Sequence, residues 1–277
     1  MSPKSAVAAG TEAERLVDTV RDRYGRIARG VESGCCGASV SEQAVALGIG
    51  YSSRELAEVP VEANLGLGCG APIGFLKPAP GETVLDLGSG AGLDAFLAAR
   101  HVGPTGRVIG VDMTPAMLDK ARANAAQLGL GQVEFREGRL EALPVVDASV
   151  DAVTSNCVIN LVPDKAAVFA EIARVLRPGG RLVISDIVLE APLPPAVASD
   201  VYAWVGCISG AEQRQAYFGM IAEAGLGQVE VLRDTDYVAT LAASAPDELA
   251  ALLDRTGVEQ AAVLGKIRSV TFRARKA

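Results

Sequence analysis

The most constraining feature of the chain is an apolar segment that leads into a glycine-rich turn and then into a helical pattern. Residues 84–87 (VLDL) are followed at once by residues 88–92 (GSGAG), and the helical pattern starts at Leu93. Glycines in such a turn let the backbone pass close to a ligand, and the first turn of the following helix offers unpaired N–H groups. The sequence therefore predicts an α/β sheet with a ligand at the end of this strand.

Strand and helix patterns alternate between residues 83 and 187. The predicted strands are residues 83–87, 107–111, 133–135, 150–155 and 181–185. Thr114 followed by Pro115 predicts the start of one intervening helix, and Gly129 predicts its end. Strands that alternate with helices in this way predict a parallel, doubly wound sheet with helices on both faces.

The segments on either side of this core are less regular. Residues 11–30 predict an amphipathic helix that begins with a capping box of Thr11 and Glu14. Residues 31–82 contain many glycines, and we expect loops there. The predicted elements beyond residue 187 are a helix at residues 212–224 and strands at residues 229–232 and 267–273.

Composition restricts the class of protein. The 277 residues are 49% hydrophobic and 21% charged, which provides enough apolar material for a packed core and excludes general disorder. Lysine and arginine total 26 against 33 aspartate and glutamate residues, and the net charge of −7 argues against nucleic acid and anionic membranes as partners. No apolar run approaches the roughly 20 residues of a membrane helix, and the first ten residues lack a signal-peptide pattern. We therefore expect a soluble cytoplasmic protein.

The counts of histidine and cysteine restrict the chemistry. The single histidine, His101, excludes metal sites with several histidines and two-histidine catalysis. The odd number of cysteines and the absence of a C-x-x-C pair do not suggest a disulfide framework or a zinc ribbon. The five cysteines are Cys35, Cys36, Cys69, Cys157 and Cys207. Cys157 lies at the carboxyl end of the fourth predicted strand, where ligands bind in such a sheet, and the other four lie in predicted loops, which are poor positions for core residues. Several thiols near one ligand suggest a thiophilic substrate.

The glycine spacing distinguishes between two nucleotide-type ligands. A dinucleotide fingerprint would place its third glycine at position 93, where this chain has leucine, so an NAD-dependent oxidoreductase fits poorly. Asp86 followed by G-x-G-x-G resembles the first motif of class I S-adenosylmethionine methyltransferases. Asp112 ends the second predicted strand, where a carboxylate can accept hydrogen bonds from both ribose hydroxyl groups. We expect the adenine ring at residues 137–140 and the sulfonium end of the ligand at residues 155–157.

Longer motifs resemble the arsenite S-adenosylmethionine methyltransferase family. The motifs are LGCG at residues 67–70, VLDLGSGAGLD at 84–94, VIGVDMTPAML at 108–118, SNCVINL at 155–161, RPGGRLVISDIV at 177–188 and WVGCISGA at 204–211. The resemblance extends from about residue 21 to about residue 225, with Ala71 as a departure where the family usually has asparagine. It implies a class I methyltransferase fold, Rossmann-like, with N-terminal and C-terminal additions that form a cysteine-lined metalloid site.

The resemblance also implies that the chain divides into three functional segments. They are residues 1–70 with the N-terminal helix and cysteine-bearing loops, residues 71–187 as the methyltransferase core that binds S-adenosyl-L-methionine, and residues 188–277 as the substrate-site and sheet-completing region. The residues implied in cofactor binding are Asp86, Gly88, Ser89, Gly90, Asp112, Met113, Gly138, Arg139, Leu140 and Asn156.

The cysteines receive roles from the same resemblance. Cys157 and Cys207 would bind As(III) directly. Cys69 and one of Cys35 or Cys36 would supply a third thiolate and then be oxidised to a disulfide. Arsenite and methylarsenite would be the substrates, and a thiol reductant, thioredoxin or glutathione, would close the cycle, with thioredoxin as the candidate protein partner.

Methylation of thiol-bound arsenic is consistent with the residue types present in the chain. Methyl transfer from a sulfonium is an in-line displacement, so alignment supplies much of the rate. Trivalent arsenic bound to thiolates has a free lone pair and no proton to lose, so its site needs no histidine base. Two alternatives remain: a methyltransferase that acts on a carbon, nitrogen or oxygen acceptor, and a non-catalytic thiol protein that binds a metalloid.

Overall fold

Seven strands form one sheet in the computed structural model, which describes residues 11–32 and 41–277. The strands are β1 (Thr83–Leu87), β2 (Arg107–Asp112), β3 (Val133–Glu137), β4 (Val150–Asn156), β5 (Leu176–Leu189), β6 (Leu226–Asp236) and β7 (Ile267–Lys276). Their order is β3-β2-β1-β4-β5-β7-β6, with β1 to β5 parallel and β7 antiparallel to β5 and β6. The strand order reverses between β1 and β4, so the carboxyl ends of these two strands open a crevice suited to a ligand.

The central strand β1 is buried on both faces of the sheet. Leu85 and Leu87 pack in the apolar layer on one face, whereas Val84 packs in the layer on the other. This alternation follows from the two-residue repeat of a strand, and it explains why the sequence of β1 is almost continuously apolar. The exception is Asp86, which is 2% exposed and brings a carboxylate into the core at the end of the strand.

Twelve helices accompany the sheet in the described residues. They are α1 (Glu12–Ala28), α2 (Glu42–Ile49), α3 (Ser53–Ala57), α4 (Ile73–Leu76), α5 (Leu93–Val102), α6 (Pro115–Leu128), α7 (Lys165–Val175), α8 (Pro195–Ala198), α9 (Val201–Val205), α10 (Arg214–Glu223), α11 (Tyr237–Ser244) and α12 (Pro246–Thr256). Helices α7 and α10 cover the face of Leu85 and Leu87, and α5 and α6 cover the opposite face. Among the described helices, none is long and apolar enough to cross a bilayer.

The predicted parallel core with helices on both faces is confirmed, and so is the capping box of α1. Thr11 accepts a hydrogen bond from the N–H of Glu14, and the Glu14 carboxylate accepts one from the N–H of Thr11. Strand β5 is longer than the predicted residues 181–185, because its antiparallel pairing with β7 continues to Leu189. The predicted elements beyond residue 187 correspond to α10, β6 and β7.

Seven helices lie where no helix is predicted from the sequence. Helices α2, α3 and α4 lie inside the glycine-rich segment, α8 and α9 lie between β5 and α10, and α11 and α12 lie between β6 and β7. Four of them begin after a capping side chain, which is Ser41 for α2, Ser52 for α3, Asp200 for α9 and Asp236 for α11. These helices span only 4 to 11 residues, so their apolar period is too short to stand out against the surrounding loops.

Candidate functional site

A cleft opens at the carboxyl ends of β1, β2 and β4. It encloses about 1120 Å³, including the open space at its mouth, which is enough for a nucleoside-sized ligand. The ten residues predicted to bind the cofactor all line this cleft, namely Asp86, Gly88, Ser89, Gly90, Asp112, Met113, Gly138, Arg139, Leu140 and Asn156. The fold therefore brings together residues from four separate parts of the sequence.

The glycine turn after β1 has positive φ angles, which residues other than glycine adopt only at a cost in conformational free energy. Gly88 has a φ of +65° and Gly90 a φ of +50°. A Cβ atom on Gly88 would lie 2.4 Å from the Cγ2 atom of Val158, which is closer than real contacts allow. Glycine is therefore required at position 88, and the backbone of the turn can approach a ligand closely.

The carboxylate of Asp112 joins the end of β2 to the glycine turn. Its Oδ2 accepts a hydrogen bond from the N–H of Gly90 at 3.0 Å, and its Oδ1 accepts one from the N–H of Thr114 at 2.8 Å. Burial raises the pKa of Asp112, and the backbone hydrogen bonds oppose that increase. Because a carboxylate has about four lone-pair positions, Asp112 can still accept hydrogen bonds from ribose hydroxyl groups.

Two further carboxylates, Asp86 and Asp94, are buried near Asp112. Burial raises the pKa of Asp86 well above its ordinary value, and the charges of Asp94 and Asp112 raise it further. Burial also raises the pKa of Asp94 to about 6, although hydrogen bonds from Tyr51 and Asn156 oppose this. A positively charged ligand would relieve the repulsion among these carboxylates and stabilise their ionised forms.

The polar groups of the cleft fit a cationic nucleoside better than a pyrophosphate. In residues 11–32 and 41–277, the Oδ2 of Asp86 and the Oγ of Ser89 are buried without a hydrogen-bond partner. Arg139 is the one basic side chain among the described residues that line the cleft, and it pairs with Glu141 at 2.6 Å. Unpaired acceptors and carboxylates suit the ammonium, sulfonium and hydroxyl groups of S-adenosylmethionine, whereas a dinucleotide would need donors for its phosphates.

The side chain of Asn156 links the end of β4 to the cysteine-bearing loop at residues 67–70. Its Oδ1 accepts hydrogen bonds from the N–H groups of Cys69 at 3.0 Å and Gly70 at 3.3 Å. Its Nδ2 donates to the carbonyl oxygen of Gly70 at 2.6 Å and to the hydroxyl of Tyr51 at 2.9 Å. Asn156 therefore lines the cleft and at the same time holds the loop of Cys69 in place.

Three cysteines meet at the inner end of the cleft, and all three are buried. Cys69, Cys157 and Cys207 are 5%, 9% and 2% exposed, so the expectation that loop cysteines are poor core residues is wrong for Cys69 and Cys207. The reason is that α9, α11 and α12 pack with these loops in one apolar cluster, and none of these three helices is predicted from the sequence. Cys35 and Cys36 lie outside the described residues.

Cys157 is the central thiol of the three. It lines the cleft, and the side chains of Cys207 and Cys69 lie beside it in the same apolar cluster. The neighbouring thiols of Cys207 and Cys69, together with burial, raise the pKa of Cys157 well above its ordinary value. Burial also raises the pKa of Cys69, so both thiols are protonated at neutral pH before a ligand binds.

The backbones of Cys157 and Cys207 are both in the left-handed region. Their φ angles are +59° and +64°, which residues other than glycine rarely adopt and which cost about 1–3 kcal/mol each. Backbone hydrogen bonds hold this conformation, because the N–H of Cys157 donates to the carbonyl of Ser185 and that of Cys207 donates to the carbonyl of Trp204, both at 2.8 Å. Strain of this kind at two neighbouring thiols is typical of a functional site.

A carboxylate lies next to the thiols. One oxygen of Asp186 and the sulfur atoms of Cys69 and Cys157 lie within 4.8 Å of one another. Burial raises the pKa of Asp186 to about 7, and the hydrogen bond from Tyr217 opposes that increase. Neither Asp186 nor Tyr217 is among the site residues predicted from the sequence, because the motif that contains Asp186 reads as an ordinary buried strand.

Helix α1 closes one side of the cleft, which the sequence analysis does not predict. Val17, Val20 and Tyr24 of α1 line the cleft. The hydroxyl of Tyr24 donates a hydrogen bond to the carbonyl oxygen of Val205 at 3.3 Å, which connects α1 to the segment of Cys207. The amphipathic pattern of α1 predicts an apolar face, but a local pattern does not specify what that face covers.

Comparisons with known proteins agree with this geometry. A family model described as a methyltransferase domain matches residues 78–225. An arsenite methyltransferase from Halobacterium salinarum is 48% identical over 236 residues, which cover 80% of this chain and 60% of that protein. An arsenite methyltransferase from Aquipseudomonas alcaligenes is 36% identical over 208 residues, which cover 70% of this chain and 57% of that protein. The chain thus spans less than two thirds of the length of these curated relatives.

A solved structure is similar over most of the chain. It is the crystal structure of an arsenic(III) S-adenosylmethionine methyltransferase from Chlamydomonas reinhardtii, with a TM-score of 0.58 and 34% identity. The match covers 84% of this chain and 74% of that one.

Proposed function

Because the chain belongs to the arsenite methyltransferase family of class I S-adenosylmethionine-dependent methyltransferases, we propose that it is an enzyme that methylates trivalent arsenic. The observation that supports this proposal most strongly is the convergence of Cys69, Cys157 and Cys207, of which Cys157 also lines the cofactor cleft. Thiols are soft ligands that prefer a soft, thiophilic element over the carbon, nitrogen or oxygen acceptors of other methyltransferases.

The cleft would hold the methyl donor through the residues described above. S-adenosylmethionine, when bound, supplies an electrophilic methyl group on a positively charged sulfur. Asp112 would accept hydrogen bonds from the ribose, and the unpaired oxygens of Asp86 and Ser89 would accept hydrogen bonds from the polar end of the cofactor. Gly138 and Leu140 would border the adenine ring, as their place in the cleft lining supports.

Arsenite can bind to these thiols without prior deprotonation. Each hydroxyl group of arsenous acid exchanges for one protein sulfur, and the thiol proton leaves with that hydroxyl as water. The raised pKa values of Cys157 and Cys69 are therefore compatible with binding. In this proposal Cys157 and Cys207 provide two sulfur ligands, and Cys69 provides the third for inorganic arsenite.

The site aligns the arsenic and needs no proton acceptor. Arsenic bound to sulfur keeps a lone pair, and Cys157 places it where the cleft ends, so proximity and orientation contribute most to the rate. The single histidine, His101, lies exposed in the last turn of α5, away from the residues that line the cleft. Its position supports a reaction without a histidine base.

Closing the catalytic cycle requires two electrons, because methylation oxidises arsenic from the trivalent to the pentavalent state. Two thiols that join in a disulfide release two electrons and two protons. The proposed pair is Cys69 with either Cys35 or Cys36, and an external thiol reductant, thioredoxin or glutathione, would reduce the disulfide afterwards. The product of the first round, methylarsenite, would then be a second substrate.

The three segments have distinct tasks in this proposal. Residues 71–187 would bind the cofactor, residues 188–277 would contribute Cys207 and complete the sheet, and residues 1–70 would contribute Cys69. This division remains a prediction, as do a cytoplasmic location and a thioredoxin partner.

Arsenic speciation tests the proposed function. The purified chain is incubated with arsenite, methyl-labelled S-adenosylmethionine and either glutathione or a thioredoxin system, with Cys157→Ser as the matched control. We expect several equivalents of labelled methylarsenicals per protein, and none from the control. No methylated arsenic with either reductant would contradict the proposal, and methyl transfer only to a carbon, nitrogen or oxygen acceptor would replace it with the broader methyltransferase alternative.

A further inference from the structure

Asp186 is a buried carboxylate that the mechanism above does not use. It is 0% exposed and lies on β5. Its Oδ1 accepts hydrogen bonds from the Asn160 amide at 2.8 Å and from the N–H of Ile187 at 2.9 Å. Its Oδ2 accepts one from the Tyr217 hydroxyl at 2.9 Å. All three donors are neutral, so they orient the carboxylate without balancing its charge.

The nearest buried cation does not form a close pair with this carboxylate. Lys165 is 4% exposed and acts on Asp186 only as a longer-range charge. Its ammonium group donates to the carbonyl oxygen of Val162 at 3.1 Å and lies 5.6 Å from the ring centre of Trp204. Burying a carboxylate without a close counter-ion costs free energy. A positive charge that forms beside the two thiols during the reaction would lower that cost.

Methyl transfer to arsenic creates such a charge. The arsenic lone pair forms the new arsenic–carbon bond, and the electrons of the broken carbon–sulfur bond stay on the cofactor sulfur. The positive charge of the sulfonium therefore moves to arsenic, which becomes a cation while it is still bound to the protein sulfurs. Arsenite bound to three sulfurs is neutral, so the charge is absent before the reaction.

Building on the proposed function, we infer that Asp186 is a catalytic carboxylate that stabilises the positive charge formed on arsenic during methyl transfer. An arsenic atom bound to Cys69 and Cys157 lies next to the Asp186 oxygen, because these three donor atoms are within 4.8 Å of one another. The three neutral donors hold the carboxylate in place before the reaction, so little reorganisation is needed when the charge develops.

This role predicts an effect on the rate and little effect on binding. Because bound arsenite is neutral and the charge develops only in the transition state, the carboxylate stabilises the transition state more than the ground state. A loss of the carboxylate therefore lowers kcat and leaves the affinity for arsenite almost unchanged. A residue that merely supported the fold would weaken binding and lower the rate together.

The experiment measures methyl transfer in a single turnover with the full chain. Arsenite is bound first, a small excess of S-adenosylmethionine is added, and methylated arsenic is quantified with time for the wild type and Asp186→Asn. Arsenite affinity is measured by fluorescence of Trp204, the single tryptophan, and S-adenosylhomocysteine affinity by calorimetry. We expect Asp186→Asn to transfer methyl groups about 10- to 100-fold more slowly, with both affinities within about threefold of the wild type.

A second variant decides the question by the sign of its effect. Lys165→Met removes a buried positive charge that opposes a cationic arsenic but also favours the ionised form of Asp186. The rates are therefore compared at about pH 9, well above the pKa of Asp186, where the carboxylate is ionised in both proteins. There Lys165→Met should transfer methyl groups at least as fast as the wild type. This result can be obtained even if Asp186→Asn fails to fold. A loss of rate in Lys165→Met as large as that in Asp186→Asn would show that both residues act through packing and would overturn the inference.

Two other outcomes are distinguishable. A wild-type rate in Asp186→Asn, or a loss that follows arsenite affinity alone, overturns the role of Asp186 and leaves the proposed function intact. Failure of the wild type itself to methylate arsenite overturns the proposed function, and with it the inference.

Discussion

The thiol of Cys207 donates a hydrogen bond to the backbone carbonyl oxygen of Cys157, with 2.8 Å between the two atoms. The two residues are 50 positions apart, and both have a left-handed backbone. The contact joins the end of β4, where the cofactor cleft reaches its inner end, to the loop after α9. Two strained backbones thus place two thiols beside each other at the cleft.

The first prediction concerns these two thiols. Cys157→Ser and Cys207→Ser should each lower methylation of arsenite by at least about 100-fold, because a hydroxyl oxygen is a much poorer ligand for a thiophilic element than sulfur. Serine is similar in size, so thermal unfolding and S-adenosylhomocysteine affinity should remain close to the wild type. Wild-type turnover in either variant would mean that the cysteine serves only as a small core residue.

The second prediction separates the binding thiols from the auxiliary ones. Cys69→Ser should fail on arsenite but still methylate monomethylarsonous acid, because that substrate already carries one carbon and needs only two protein sulfurs. Cys35→Ser and Cys36→Ser should each keep partial activity on arsenite, and the double variant should behave like Cys69→Ser. Initial rates on both substrates check this, and an equal loss of both activities in Cys69→Ser would contradict the division of roles.

The third prediction concerns the cofactor. Asp112→Ala should weaken S-adenosylhomocysteine binding by about 1.5–3 kcal/mol for each charge-assisted hydrogen bond that is lost, a factor of roughly 10 to 150 in Kd. The variant also removes the acceptor for the N–H of Gly90, so the glycine turn loses a support. Asp112→Asn is the matched control, because it keeps one acceptor oxygen and should bind with intermediate affinity. Calorimetric values equal to the wild type would place the ribose elsewhere.

The fourth prediction is a dependence of stability on pH. Burial raises the pKa of Asp94 to about 6, above the ordinary value near 3.9, so the folded protein holds this proton more tightly than the unfolded chain. The resulting stabilisation is complete below pH 4 and is lost as the pH rises through 6. Asp94→Asn cannot titrate, so its unfolding temperature should rise relative to the wild type by several degrees between pH 4 and pH 7.

Thermal unfolding of both proteins in the absence of cofactor checks this dependence. The other charged or titratable groups near Asp94 are Tyr51, Asp86 and Glu55, and all of them are retained in the variant. Parallel unfolding curves across this range would mean that Asp94 titrates in the folded protein as it does in water.

The cofactor cleft could be predicted from the sequence because its signals are local. The end of β1, the glycine turn and Asp112 follow one another within about 30 residues, and parallel strands must bring their carboxyl ends to one edge of the sheet. The positive φ of Gly88 is likewise a property of one short turn. Patterns of this length contain enough information to place a ligand.

The thiol site could be predicted only in part because its contacts are distant in sequence. The hydrogen bond from the N–H of Cys69 to Asn156 joins residues 87 positions apart, and no local pattern contains it. The burial of the cysteines depends on α11 and α12, whose short apolar stretches do not reveal what they cover. Asp186 lies in an apolar strand and becomes noticeable only when its neighbours across space are known.

The central claim is that buried protein sulfurs hold arsenic beside the cofactor cleft, and arsenic K-edge X-ray absorption tests it most directly. The chain is kept reduced with a phosphine instead of a small thiol, so that every sulfur bound to arsenic comes from the protein, and one equivalent of arsenite is added. We predict that sulfur replaces oxygen throughout the first coordination shell in the wild type, and that oxygen returns to the shell in Cys157→Ser. A first shell of oxygen alone in the wild type would contradict the account.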